Sequence, residues 1–269
     1  MTTWLCQACG TQFPPSDVPP AACPICEDPR QYVPYDEGQV WVDRDDFLGD
    51  HRAELRDEHG LLGIGCDPAF AIGQRALLVK SSAGNVLWDC IPYLDDEIVR
   101  RVKADGGLAA IAISHPHYYA AMVEWAHAFA CPIFLQEAER KWVMRPDPAI
   151  QFWSGETHDL GGGLTLVRLG GHYEGGQVLH WAERRALLSG DIIQVIPDRR
   201  FVSFMYSYPN LIPLPASKVQ AIASALRPFA FETIYGAWWG RVVERDGSGV
   251  VRRSADRYVR AITDPGLPS

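Results

Sequence analysis

The sequence predicts an α/β (α+β) domain, with helices laid over sheet faces, preceded by a small knuckle of four cysteines held by a metal ion. Three observations predict it. Two CxxC pairs fall within the first 26 residues. Beyond about residue 76, short β-branched or apolar runs alternate with helical ones, the order expected where helices cover a sheet. The length of 269 residues, 47% of them hydrophobic, suffices for one large core plus an appendage. The expected division is a knuckle over residues 1–35 and the main domain over 36–269, with the junction in the acidic, weakly patterned stretch 36–50.

In the knuckle, Cys6-x-x-Cys9 and Cys23-x-x-Cys26 are separated by thirteen residues, and each pair turns tightly enough for two thiolates to grip one tetrahedral ion. The segment between them, with Pro14, Pro15, Pro19 and Pro20, suits neither helix nor central strand. So few apolar residues cannot hold a fold alone, which makes the metal the staple. The run resembles the rubredoxin-like domain of rubrerythrins and short zinc ribbons. Tetrathiolate sites accept zinc or iron, and the spacing does not separate them. Zinc there implies structure or docking; iron implies electron transfer to a redox partner.

In the main domain, residues 76–80, 86–89, 109–114, 133–135, 164–168, 178–181 and 186–189 read as strands. Residues 95–104, 119–130, 215–226 and 254–262 read as helices. In such a domain the chemistry lies where strands end. His115 and His117 directly follow the apolar strand 109–114. His172 sits in the glycine-rich turn Gly170-Gly171-His172-Tyr173-Glu174-Gly175-Gly176, and Asp191 closes a third strand. Three histidines and one carboxylate at strand ends form a candidate set for one divalent ion.

These motifs, in their order, resemble the metallo-β-lactamase superfamily over roughly residues 60 to 240. Leu87-Trp88-Asp89 matches its early strand ending in aspartate, and Ser114-His115-Pro116-His117 the start of its H-x-H-x-D-H motif. Gly171-His172 matches its third histidine and Ser189-Gly190-Asp191 its bridging aspartate. The resemblance implies a four-layer αββα sandwich in which His115, His117 and His172 form the first metal site, with Asp191 beside them. Tyr119 stands where the family places the motif aspartate, and Ala120 where it places the next histidine. No histidine follows His180, so the last metal histidine near Trp238 is also missing. The resemblance therefore implies a reduced site holding one zinc, or alternatively iron, with an open position for water.

With the motif aspartate gone, Asp191 or Glu174 is the candidate base. Tyr118 and Tyr119 either donate to a developing oxyanion or fill the vacated second-metal space. The remaining histidines, His51, His59, His127, His158 and His180, read as packed or exposed residues, and Cys66, Cys90 and Cys131 as buried hydrophobes. Residues 201–208 and Trp238-Trp239 either line a pocket or form core. Arg199 and Arg200 either hold an anionic substrate or lie on the surface.

The net charge of −8, from 33 acidic and 25 basic residues, leaves no footprint for nucleic acid or anionic lipid. No secretory leader or stretch of about 18 apolar residues is seen, which reads as cytoplasmic. The expected function is a metal-dependent hydrolase acting on a small ester, lactone or thioester-like substrate. Two alternatives stand beside it: an iron enzyme using His115, His172 and Asp191, similar to persulfide dioxygenases, and a non-catalytic metal-binding module. Flavodiiron proteins need carboxylates near His115 and His117 that are absent.

Overall fold

The computed structural model, which describes residues 1–264, opens with a short strand, β1 (Trp4–Cys6), paired antiparallel with β2 (Trp41–Asp43). Between them the chain loops out through both cysteine pairs, and a single helical turn, α1 (Pro24–Glu27), begins at a proline whose missing N–H is harmless there. The partner of β1 thus comes from beyond residue 35, where the sequence reading ended the knuckle. Asp43 caps α2 (Arg44–Asp50) by accepting from the Asp45 N–H, and the large domain follows.

Seven strands form the first sheet in sequential order: β3 (Arg52–Glu58), β4 (Leu61–Asp67), β5 (Ala76–Ser81), β6 (Gly84–Trp88), β7 (Ala110–Ala112), β8 (Ile133–Gln136) and β9 (Ile150–Trp153). Pairing is antiparallel to β6 and parallel thereafter, so crossovers are needed. They are α3 (Asp96–Ala104), a 3₁₀ turn at Pro116–Tyr118 followed by α4 (Met122–Phe129), and a 3₁₀ segment at Glu137–Trp142.

The second sheet begins with β10 (Thr157–Gly161), β11 (Leu164–Arg168), β12 (Gln177–Trp181) and β13 (Ala186–Gly190). Two small hairpins interrupt it: β14 (Gln194–Val195) with β15 (Val202–Ser203), and β16 (Met205–Ser207) with β17 (Ile212–Pro213). After α5 (Ala216–Ala225), β18 (Thr233–Gly236) joins β13 in parallel and β19 (Val242–Val243) completes the edge; α6 (Gly247–Thr263) follows.

Alternation along the strands builds the layers. In β5, Leu77 and Val79 face the second sheet's Leu164, Leu166 and Leu188, while Ala76 and Leu78 face Ile98 and Val102 of α3 and the buried side of α4. In β13, Leu187 turns outward onto Val219 and Ile222 of α5 and Val250 of α6. The result is helix, sheet, sheet, helix, the expected αββα sandwich, each large buried side chain contributing about 1.5–3 kcal/mol. Among the described residues no helix is long and apolar enough to cross a membrane.

Candidate metal centre

The ends of β7, β11 and β13 meet at one edge of the sandwich. Asp89, in the left-handed region at φ 59°, shapes that edge: its Oδ1 accepts from the Ser114 N–H at 2.7 Å, fixing the residue before His115. Pro116 then tightens the chain into the 3₁₀ turn, bringing His117 back beside His115, with ring centroids 5.0 Å apart. Gly190, at φ 53°, admits Ser114 against the end of β13, because a Cβ there would lie 2.6 Å from Ser114 Oγ.

His115, His117 and His172 converge, with one ring nitrogen from each within 4.8 Å of the others. His172 Nδ1–H donates to the Tyr206 carbonyl at 2.6 Å, leaving Nε2 to face His117 Nδ1 at 3.3 Å. That is about the edge of a tetrahedron whose metal–nitrogen bonds are about 2.0–2.1 Å. His117 Nε2 shares a 3.0 Å hydrogen bond with the Tyr173 hydroxyl, and His115 Nδ1 shares one of 3.1 Å with Ser114 Oγ. Each nitrogen turned away from the cluster therefore has an oxygen to hold its proton, the arrangement that fixes imidazole as a metal ligand.

The donor set fits a divalent cation on two further counts. His115 Nε2 and Asp191 Oδ1 are buried without a hydrogen-bond partner, 3.4 Å from each other. Burial and the neighbouring imidazoles push His115 and His117 well below the usual histidine range, and burial lowers His172 to about 4, so all three are neutral and able to ligate a cation. Burial raises the Asp191 carboxyl to about 7, with nearby Asp89 adding to it.

The four cysteines also close on one another, Cys6 Sγ lying 3.5 Å from Cys26 Sγ and Cys9 Sγ 3.8 Å from Cys23 Sγ, near the spacing around a tetrahedral ion. Hydrogen bonds from Cys23 and Cys26 hold Cys6 well below the usual thiol range. Gln39 Nε2 donates to Cys6 Sγ at 3.3 Å.

Two of the expected site residues fall elsewhere. Glu174 is 77% exposed and turned to Arg168. Tyr119 is buried toward Glu139 and the underside of the knuckle, lining a small cavity with Thr11 and Met144. It is Tyr118, one position earlier on the 3₁₀ turn, that packs on His115 at 4.6 Å and lies beside Asp191. Ala120 and Ala237 are buried in the apolar cluster that includes both tyrosines. Of the two arginines, Arg200 pairs with Asp198 at the surface, and Arg199 donates to the Ile196 and Gly240 carbonyls.

The sequence reading missed the groups that roof the site. Arg30 stacks its guanidinium on the Tyr173 ring at 3.8 Å and donates to the His172 carbonyl at 3.4 Å. Ser207 Oγ donates to the Arg30 carbonyl, and Asn210 Nδ2 to those of Pro29 and Gln31, clasping the knuckle to the β16–β17 hairpin. Tyr208 donates to the Asp191 carbonyl. Under this roof His115, His117, His172 and Asp191 are no more than 4% exposed. The one sequence cue was adjacency: Tyr173 follows His172, and Arg30 follows Cys26 by four.

No family model matches the chain. It is 47% identical to the uncharacterized protein YmaE of Bacillus subtilis (strain 168), covering 97% of each chain. Among solved structures it is similar to the metallo-β-lactamase FIM-1 of Pseudomonas aeruginosa in its mono-zinc form, at 14% identity and a TM-score of 0.57, over 77% of this chain and 96% of that one. It is also similar to TTHA1623 in a di-iron-bound form, at 19% identity and a TM-score of 0.50, over 71% and 97%.

Proposed function

The chain belongs to one family with YmaE and has the metallo-β-lactamase fold, and from that premise we propose that it is a metal-dependent hydrolase with one ion at its histidine centre, acting on a small ester, lactone or thioester-like substrate. The observation that carries this reading is the pattern of hydrogen-bond partners behind the three imidazoles. His115 Nε2, His117 Nδ1 and His172 Nε2 face one point while Ser114, Tyr173 and the Tyr206 carbonyl hold the other three nitrogens. A single-ion site is supported by the apolar packing of Ala120 and Ala237 and by the turning of Tyr119 away from Asp191.

A divalent cation bound there supplies Lewis acidity and makes hydroxide available near neutral pH. The three histidines would hold it. Asp191, with an unpartnered Oδ1 beside His115, orients the attacking water and takes its proton. The Tyr118 hydroxyl, buried beside Asp191, donates to the oxyanion that develops on the acyl carbon. An iron centre of His115, His172 and Asp191 alone would leave His117 Nδ1 idle 3.3 Å from His172 Nε2, so the three-histidine set is preferred.

The test is elemental analysis per chain, followed by hydrolysis of an ester, lactone and thioester panel. Two ions are expected, one lost in His115→Ala/His172→Ala and the other in Cys6→Ser/Cys23→Ser. Hydrolysis should fall at least a hundredfold in His115→Ala; activity indifferent to that change would refute the proposal.

A further inference from the structure

We propose that Arg30 and Tyr173 are positioning residues through which the four-cysteine knuckle controls the histidine centre, so that the histidines bind their ion tightly only while the knuckle is folded around its own. The inference rests on the reading that the histidine centre takes an ion, and adds that the two centres are coupled.

The path is continuous. Cys26 belongs to the thiol cluster, and Asp28, two residues on, grips Arg30 with both carboxylate oxygens, at 2.5 Å to Nε and 2.7 Å to Nη2. Arg30 lies on the face of Tyr173, and Trp142, which packs edge-on against the same ring at 5.7 Å, also belongs to the apolar cluster around the cysteines. The Tyr173 hydroxyl meets His117 Nε2 at 3.0 Å.

For His117 to ligate through Nδ1, its proton must sit on Nε2, and the Tyr173 oxygen is the acceptor that selects this tautomer. The knuckle has too small a core to hold Arg30 once its own ion is lost, and the Tyr173 ring is then released from one face.

Cobalt(II) titration of the full chain with chelator competition tests this, because thiolate charge-transfer bands report the knuckle separately from the nitrogen-ligated centre. Tyr173→Phe and Arg30→Ala should keep the thiolate bands and weaken the histidine centre by about 10- to 100-fold. Cys6→Ser/Cys23→Ser should lose those bands and weaken the histidine centre at least as much, with far-UV circular dichroism showing the sandwich still folded. Adding Arg30→Ala to the cysteine pair should then cost nothing more. Unchanged affinity at the histidines in Tyr173→Phe and Arg30→Ala overturns the coupling alone. Wild-type protein that takes no cobalt at the histidines overturns the proposed function, and the coupling with it.

Discussion

Which nitrogen of a histidine points inward is decided by what stands behind the other one. Here a serine hydroxyl, a phenol and a backbone carbonyl come from three different parts of the chain. Beside them Glu139 is buried, with Oε1 accepting from the Gly175 N–H and Oε2 unpartnered; burial outweighs that bond and the nearby Arg30 and raises the carboxyl to about 7. A folded-state pKa above the unfolded value of 4.5 means that the folded form binds the proton more tightly. The resulting stability is full below pH 4.5 and is lost as pH rises through about 7, a change on the order of 3 kcal/mol at most. Glu139→Gln should therefore gain on wild type in melting temperature as pH rises from 4.5 to 7; a constant difference across that window would disprove the assignment.

The clasp between the knuckle and the β16–β17 hairpin belongs to the scale of elements. It rests on hydrogen bonds from Ser207 and Asn210 to three successive carbonyls, of Pro29, Arg30 and Gln31, each bond contributing about 1 kcal/mol. The histidines are deeply buried, and opening of this clasp is the predicted route by which a chelator reaches them. Asn210→Ala, which removes two of the three bonds, should speed removal of the histidine-bound ion by EDTA about tenfold or more without altering the ion count at equilibrium. Equal stripping rates would place the entry route elsewhere.

Some elements were readable and others were not. β11 was expected over 164–168, where it lies, because its apolar residues meet a core on either face. β3 went unread because it is a charged edge strand, and β4 because Gly63 and Gly65 look like loop. Those glycines are needed because the Trp239 ring lies against the strand, 2.4 and 2.8 Å from where their Cβ atoms would be. Helix α4 starts at Met122 rather than at the expected 119, because the 3₁₀ turn carrying His117 and a left-handed Ala120 at φ 42° come first. Helix α6 starts at Gly247, seven residues before expected.

On the scale of the whole molecule, the sandwich core fixes how the strand ends register at the site edge. Leu188 is fully buried between the sheets and lies three residues before Asp191. Leu188→Ala should cost about 2–5 kcal/mol in urea unfolding. A loss under 1 kcal/mol would mean that the inter-sheet layer is looser than its burial indicates.

What the sequence carried by itself was the α/β alternation of strands and helices and the four-cysteine set, written in local periodicity and short spacings, and, through its resemblance to the metallo-β-lactamase superfamily, the αββα layering and the grouping of His115, His117 and His172. The tertiary structure alone decided that Tyr118 rather than Tyr119 faces Asp191, that Glu174 turns outward, and that Arg30 closes over Tyr173 and His117. Those choices depend on contacts between residues far apart in the chain, 142 positions between Arg30 and His172, and on a tight turn whose pitch no spacing rule reveals. Side-chain direction there is set by packing, which the order of residues records only after the chain has folded.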